Sequence, residues 1–226
     1  MSPPNQTTQP TEVDVPSTKT ALLDAAEALF EERGIRGTSL RAITDRAGAN
    51  IASVNYHFGS KTDLVRAVLA RRIDPLNAER LKQLDELEQR GDFDLEDVLT
   101  ALIGPAVRHE DGYAGLRLLS RMHFEPDTEF SKLVHRPFMV VQQRFFAAIH
   151  RVAPELSELA LHMRMTFAIG AMAATIAGLD KLRSGEVPVL RQGAGGMAEA
   201  FGDPEEITRQ LVRFIAHGLT APESKP

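Results

Sequence analysis

The sequence has no cysteine among its 226 residues. Disulfides, thiolate metal sites and cysteine nucleophiles are therefore excluded. The chain also lacks a basic segment followed by an apolar one at its start, because residues 1–17 are polar and rich in proline. We expect these residues to form a disordered tail on a cytoplasmic protein.

No apolar run is long enough to supply a membrane span. Residues 165–179 (MTFAIGAMAATIAGL) carry no charge, but Arg164 and Asp180 close the run on either side. A bilayer span needs roughly 20 apolar residues, and this run is shorter. We therefore expect a buried helix here and no membrane partner.

No alternating pattern of apolar and polar residues indicates a strand, whereas apolar residues recur at helical spacing nearly everywhere. The sequence thus predicts an all-α fold. In its first part we expect helices at about 18–33, from 38 or 39 to 47, over a short stretch capped by Asn50, and from Ser60 towards residue 89. Pro75 is expected to kink or break the last of these helices.

The remainder predicts further helices and one flexible loop. The expected helices lie at roughly 94–109, at 113–124, at 127–152 with a bend or interruption at Pro137, from Pro154 to about Arg183, and from Asp203 to Gly218. Residues 184–203 contain five glycines and one proline, which indicates a flexible loop. The expected organisation is a tail over 1–17, a first domain over 18–72, a second over 73–220 and a short tail over 221–226.

The charge is distributed unevenly along the chain. Residues 18–72 hold nine Lys or Arg against six Asp or Glu, which gives them a charge of +3. Because the net charge of the whole chain is −5, the other residues together carry −8. A basic end on an acidic body indicates that the basic end meets a polyanion.

The stretch ANIASVNYHFGSK, residues 49–61, carries many hydrogen-bonding groups for its length. Two short helices joined by a turn with Gly48, and packed against a longer helix, form the helix-turn-helix pattern. The second short helix of that motif enters the major groove of DNA. With Val54 facing the core, the outward side chains are the candidate base contacts: Ile51, Ala52, Ser53 and Asn55.

Other side chains near this helix can donate hydrogen bonds to phosphate. Tyr56, His57 and Lys61 flank the recognition positions, and Lys61 also lies at a helix N-terminus that favours an anion. The preceding helix offers Thr38, Ser39 and Arg41. On spacing alone, DNA binding and an ordinary polar surface are equally well supported.

The run from Lys19 to Arg71 resembles the N-terminal domain of the tetracycline-repressor-like (TetR) family of transcriptional regulators. The matching pattern is ALFEERG, then GTSLRAIT, then AG, then an aromatic-His-Phe-x-x-Lys signature, here YHFGSK at 56–61. The resemblance implies a homodimeric helical repressor with base contacts at Ile51, Ala52, Ser53 and Asn55. It implies phosphate contacts at Thr38, Ser39, Asn50, Tyr56, His57 and Lys61.

The base preference cannot be copied from this family. Many relatives have an aromatic residue where Asn55 stands and a polar or basic residue where Ile51 stands.

In this family the C-terminal domain forms the dimer and binds a small effector. The Gly- and Ala-rich helix over 165–179 can approach another helix closely and, with the last helix, would form half of an intersubunit four-helix bundle. The candidate interface residues are Gly170, Ala174, Ala177, Leu211 and Phe214. An ordinary core within one chain is the alternative.

The effector pocket is expected among the middle helices. Candidate lining residues are Leu118, Arg121, Met122, Phe138, Phe145, Met163 and Phe167, since small-molecule pockets combine apolar walls with a few polar groups. A cation such as Arg121 would suit an anionic head group, so we expect a hydrophobic effector with an acidic end. Core apolar residues and surface arginines are the alternative for each of these positions.

Two other classes of function are the alternatives to a regulator. An enzyme would need clustered chemistry, but His109-Glu110-Asp111 and His123-x-Glu125 do not match a helical zinc spacing. We therefore expect no catalysis, no metal and no cofactor. A helical protein–protein adaptor with a merely charged end is the other alternative, and salt-dependent binding to duplex DNA would separate it from a regulator.

The expected mechanism is a two-state repressor on a palindromic operator in double-stranded DNA. Its two recognition helices would lie in successive major grooves, roughly 34 Å or a helical-turn multiple apart. An effector that binds the other state more tightly would tilt the fourth helix near Pro75 and change that separation.

Overall fold

The computed structural model describes residues 17–108, 128–183 and 203–222, and within these ranges it contains eight helices and no strand. We number the helices in chain order: α1 (Thr18–Arg33), α2 (Leu40–Ala47), α3 (Ile51–Phe58), α4 (Lys61–Arg90), α5 (Leu95–Arg108), α6 (Thr128–Val152), α7 (Glu158–Arg183) and α8 (Pro204–Thr220). The expectation of an all-α fold is confirmed. The helix expected at 113–124 and the loop expected at 184–203 lie outside the described residues, except for Asp203.

The first three helices pack around one apolar centre. Phe30 of α1, Ile43 of α2, Val54 of α3 and Leu64 of α4 are all completely buried. In α1 the apolar residues recur at helical spacing, which gives the helix one core-facing side. The N-terminal part of α4 completes this group of helices, since it packs against both α1 and α3. We call α1, α2, α3 and this part of α4 the α3 unit.

A tight turn sets the angle between α2 and α3. Gly48 ends α2 in the left-handed conformation with φ of 62°, which costs a residue without a Cβ atom little. Asn50 then caps α3, because its side chain accepts a hydrogen bond from the backbone N–H of Ser53. Both features were expected from the sequence.

Helix α4 is a single element of 30 residues that runs through Pro75. Of the two expected alternatives, the break at Pro75 is therefore wrong, and a kink there, where proline removes one backbone hydrogen bond, remains a prediction. The helix starts as expected at Ser60, whose hydroxyl donates to Asp63 at 2.6 Å and accepts the backbone N–H of Asp63 at 3.1 Å. One continuous helix therefore connects the α3 unit with the helices that follow.

The body is assembled around α5. This helix packs most extensively against α8 and also against α4 and α6, and its buried side chains include Val98, Leu99 and Ile103. Helix α6 is continuous through Pro137, so of the two expected alternatives the interruption is wrong, and a bend there remains a prediction. Helix α8 begins at Asp203 and Pro204 as expected.

Helix α7 starts later than the sequence indicated. Pro154 lies in a turn before it, and Ser157 takes the capping position, where its hydroxyl oxygen accepts the backbone N–H of Ala160 at 3.2 Å. The error arose because a proline suits the first turn of a helix but also suits the turn that precedes one.

The expectation of a buried helix over 165–179 is met on one face of α7 only. Met165, Ala168, Met172 and Ile176 are buried, whereas the opposite face is exposed in the single chain. By length and composition, Glu158–Ile176 could also cross a membrane, with 28% of that stretch buried. The buried positions recur at helical spacing and form one core-facing side, while the exposed side also carries large apolar residues, among them Met163, Phe167 and Ile169.

Candidate nucleic-acid interface

Helix α3 is anchored by one side chain and exposes most of the others. Val54 is completely buried, while Ile51 is 48% and Tyr56 85% exposed. Ala52 and Asn55 are also exposed, and Ser53 is half-buried. The outward orientation expected for the candidate base contacts at positions 51, 52 and 55 therefore matches their exposure.

The charge around α3 favours a polyanion. No Asp or Glu occurs between Arg46 and Lys61, so nothing on α3 or its two flanking turns would repel phosphate. Two of the nearby carboxylates form ion pairs with cations: Glu32 with Arg46 at 2.6 Å, and Asp63 with Arg66. These pairs limit how far the carboxylates oppose an approaching phosphate.

Asn50 and Ser53 form one hydrogen-bonded unit at the start of α3. The Asn50 Oδ1 accepts both the backbone N–H of Ser53 at 2.9 Å and its hydroxyl at 3.1 Å. The Ser53 hydroxyl proton is therefore used inside the protein, which leaves its oxygen as an acceptor. The Asn50 Nδ2 hydrogens remain able to donate outward.

Thr38 must be removed from the predicted phosphate contacts. It is 1% exposed, and its hydroxyl donates to the carbonyls of Gly34 at 2.8 Å and Leu29 at 3.1 Å. A buried hydroxyl satisfied in this way holds the turn between α1 and α2 and cannot reach a phosphate. The neighbouring Ser39 is exposed and caps α2 by accepting the N–H of Ala42 at 3.1 Å.

Lys61 serves the fold as well as the surface. Its Nζ donates to the carbonyl of Ile35 at 2.7 Å, which ties the start of α4 to the turn between α1 and α2. Partial burial lowers the pKa of Lys61 below its ordinary value. The ammonium has two further protons, so phosphate binding at the exposed side is compatible with this bond.

Three aromatic side chains end α3 in sequence. The rings of Tyr56 and His57 meet edge to face with centroids 5.0 Å apart, and those of His57 and Phe58 lie 6.2 Å apart. His57 and Phe58 are half-buried, whereas Tyr56 extends into solvent. Arg41 of α2 is also exposed. These positions could touch a DNA backbone beside the groove that α3 is expected to enter.

Of the predicted effector-pocket residues, the structure describes the side chains of Phe145, Met163 and Phe167, and these three do not share one environment. Phe145 is buried in the core, but Met163 and Phe167 must be reassigned, because Met163 is half-exposed and Phe167 is 65% exposed on the outer face of α7. The sequence shows that Met163 and Phe167 are apolar, but their helical spacing does not tell which face of α7 meets the core. Leu118, Arg121 and Met122 and the side chain of Phe138 lie outside the described residues.

The predicted dimer residues lie mostly on the outer face of α7 and α8. Gly170 and Ala174 are exposed, and Phe214 is 68% exposed. Leu211 must be corrected: it is buried within the chain because its side of α8 faces the core around α5. The side chain of Ala177 lies outside the described residues.

An apolar groove runs along this outer face. Phe167 and Arg164 of α7 line it together with Gln210, Phe214 and His217 of α8. Leu159 and Ile169 are also exposed on α7. A surface of this kind is common where a second protein surface binds.

Sequence reasoning missed a buried arginine in the body. Arg80 stands four residues before Leu84 and four after Leu76 on the core-facing stripe of α4, and it is 3% exposed. That spacing was visible in the sequence and could have identified a charged side chain at a core position. Among the described residues no cluster of His, Asp or Glu could hold a metal ion.

Comparison with known proteins gives one family for both parts of the chain. A family profile described as bacterial regulatory proteins, tetR family, matches residues 22–68. A second, described as the tetracyclin repressor-like C-terminal domain, matches residues 100–218.

Relatives and solved structures agree with these matches. The regulator SrpR of Pseudomonas putida is 26% identical over 221 residues, 91% of this chain and 92% of its own length. The repressor KstR2 of Rhodococcus jostii is 45% identical over 58 residues, 26% of this chain and 28% of its own length. The structure of Salmonella enterica GusR superposes with a TM-score of 0.55 at 17% identity, covering 90% of this chain and 96% of GusR.

Proposed function

The chain belongs to the tetR family of bacterial regulatory proteins and is a DNA-binding transcriptional regulator, and from this premise we propose that it represses transcription as an effector-responsive homodimer on a palindromic operator. The observation that carries the proposal is the exposed, acid-free surface of α3, anchored by the buried Val54. Repression is supported by the similarity to the repressor KstR2 over 58 residues.

Four residues of α3 are proposed to contact the bases. Ile51 and Ala52 pack against thymine methyl groups, and Asn55 pairs with an adenine edge through its amide. Ser53 accepts a hydrogen bond from a base amino group, since its own proton is held by Asn50. These four residues supply the sequence preference.

The phosphate contacts surround α3. We assign them to Ser39, Arg41, Asn50, Tyr56, His57 and Lys61, all of which are exposed or half-buried. Contacts of this type fix the register of the protein on the duplex but carry no sequence information directly. Thr38 acts instead by holding the turn before α2.

The dimer is proposed to form through the outer faces of α7 and α8. Phe167 and Phe214 are large, apolar and exposed in the single chain, and burying such side chains stabilises association. Gly170 and Ala174 would permit a close helix approach. A two-fold axis would make this interface isologous, with the same residues on both sides.

The effector is proposed to bind inside the body, among α4, α5 and α6. Helix α4 extends without interruption from Lys61 beside the α3 unit to Arg90 in the body. A change in the body that moves α4 therefore moves α3 as well. The effector must favour the state that does not bind DNA, since equal affinity for both states shifts nothing.

The test is selection of bound duplexes from a random pool. The expected result is a palindrome whose half-sites lie about 34 Å or a helical-turn multiple apart, with affinity that falls steeply as salt rises. A pool without enrichment would support an adaptor and refute the regulator. Placing the selected operator before a reporter gene in the bacterial cytoplasm then tests whether the protein represses or activates transcription. Lower reporter expression in the presence of the protein supports repression, and higher expression refutes it.

A further inference from the structure

Arg80 is a cation inside the protein core. It lies on α4 between Leu76 and Leu84, which are both buried, and only 3% of its own surface is exposed. Its Nε donates to the carbonyl of Leu102 on α5 at 2.8 Å. Its Nη1 has a longer contact with Oδ1 of Asn77, at 3.4 Å.

The guanidinium of Arg80 is incompletely paired. Both of its partners are neutral oxygens, and within the described part of the chain its Nη2 has no hydrogen-bond acceptor. Burial lowers the pKa of Arg80 to about 10, so the group is still charged at neutral pH. A buried charge without an opposite charge or a full set of hydrogen bonds is costly.

Another arginine of the body, Arg144, differs from Arg80 because it is paired with carboxylates. Arg144 of α6 donates to Asp85 at 2.6 Å and to Glu88 at 2.8 Å, although its side chain is far more exposed than that of Arg80. The described residues place no Asp or Glu within ion-pair distance of Arg80. An unpaired buried donor of this kind requires an explanation.

We propose that Arg80 binds the carboxylate of an effector whose remaining body is apolar. The Nη2 group offers two N–H donors, and a carboxylate would neutralise the charge while accepting them. The buried side chains on the same two helices, Leu76 and Leu84 of α4 and Leu99 and Ile103 of α5, are apolar core residues, so a ligand that reaches Arg80 between these helices would match them better with an apolar body than as a fully polar anion. This inference rests on the proposed effector response and assigns its chemistry.

The position of Arg80 connects the ligand with the DNA-binding end. Arg80 bridges α4 to the Leu102 carbonyl of α5, and α4 begins beside α3 at Lys61. A carboxylate that takes donors of Arg80 changes the contact between these two helices. Through α4, that change reaches the spacing of the two recognition helices.

The experiment uses straight-chain carboxylates from hexanoate to dodecanoate, the alcohols of the same lengths, and inorganic phosphate. Thermal unfolding of the full chain is measured with each probe, for the wild type, Arg80→Met and Arg90→Met. The control Arg90→Met makes the same substitution at an exposed position of the same helix. Dissociation of the selected operator is measured in parallel.

We expect at least one carboxylate to raise the Tm of the wild type and of Arg90→Met more than its matched alcohol does. In Arg80→Met that additional rise disappears, because a hydrogen bond to a charged group is worth roughly a tenfold or larger change in affinity. The same carboxylate releases the wild-type protein from its operator but leaves Arg80→Met bound.

Three results would overturn the proposal: no carboxylate exceeding its alcohol in the wild type, an unchanged response in Arg80→Met, or phosphate acting as well as every carboxylate. If Arg80→Met does not fold, Arg80→Lys replaces it, since lysine keeps the charge but loses the planar fork and should bind the carboxylate more weakly. An Arg80→Lys variant that responds as the wild type also overturns it. Operator binding without any probe reports separately on the proposed function, so the two failures are distinguishable.

Discussion

Asn50 and Ser53 are joined by two hydrogen bonds, because the Asn50 Oδ1 accepts both the backbone N–H and the hydroxyl of Ser53. The first bond caps α3, and the second fixes the orientation of a side chain that faces the proposed DNA surface. Helix stability and DNA recognition therefore depend on the same asparagine.

Asn50→Ala should weaken both properties. Losing an N-cap of this type costs about 1 kcal/mol of folding stability, and the Ser53 hydroxyl becomes free to rotate. We expect a lower midpoint in urea unfolding and weaker operator binding.

Asn50→Asp separates the two effects. Aspartate caps a helix as well as asparagine, and its charge suits the helix N-terminus, so stability should be retained. The same charge repels phosphate, so DNA affinity should fall further than in Asn50→Ala. If Asn50→Asp bound DNA as tightly as the wild type, position 50 would not lie near the DNA backbone.

Asn55→Ala and Tyr56→Phe should differ in kind. Removing the Asn55 amide is expected to relax preference at one base position, with a loss of about 1–3 kcal/mol on the preferred base. Removing the Tyr56 hydroxyl should weaken all duplexes equally, because phosphate contacts carry no sequence information. Repeating the duplex selection with each variant measures both effects.

An unchanged base preference in Asn55→Ala would remove Asn55 from the base contacts. A changed preference in Tyr56→Phe would move Tyr56 into the groove. Lys61→Ala is less suitable as a phosphate variant, because Lys61 also bonds the Ile35 carbonyl and its loss disturbs the fold.

The N-terminal helices were predictable because their signals are local. Ser39, Asn50 and Ser60 each cap the helix that follows, and a cap depends on residues only two or three positions away. The side chain that anchors α3, Val54, follows from helical spacing in the same way. These short-range rules place the exposed face of α3 without knowledge of the rest of the fold.

The errors came from contacts distant in sequence or from the choice of a helix face. The hydroxyl of Thr38 reaches the carbonyl of Leu29, nine residues away, and no local rule reports that bond. Phe167 belongs to a helix with apolar residues on several sides, so spacing could not decide which side faces the core. The burial of Arg80 depends on α5, whose Leu102 accepts its hydrogen bond and lies 22 residues later in the sequence.

Folding stability should fall in acid partly through Asp63. A hydrogen bond from Ser60 lowers the pKa of Asp63, this effect outweighs partial desolvation, and Arg66 lowers the pKa further. The folded protein therefore binds fewer protons at this site than the unfolded chain does. The contribution is present above the unfolded value, near pH 4, and is lost as the pH falls through the lowered folded value.

The variant Asp63→Asn should show a smaller loss of stability than the wild type between about pH 6 and about pH 3. Ser60→Ala, which removes the main cause of the lowered pKa, should behave in the same direction. Urea unfolding midpoints at the two pH values provide the measurement. Equal acid sensitivity in all three proteins would mean that other carboxylates determine the acid response.

Phe214→Glu should dissociate the proposed dimer. The phenyl ring is largely exposed in the single chain, and burying such a side chain contributes about 1.5–3 kcal/mol. An isologous interface contains the residue twice, so the loss is counted twice. We expect a shift from dimer to monomer in sedimentation and a parallel loss of binding to the palindrome.

Val140→Glu is the matched control, since Val140 is a comparably exposed apolar residue on α6 rather than on α7 or α8. It should leave both the dimer and operator binding unchanged. A monomeric Phe214→Glu that still binds a single half-site would show that the α3 unit is intact and that dimerisation supplies the additional affinity. A Phe214→Glu that remains dimeric would exclude Phe214 from the interface, and with it the outer face of α8.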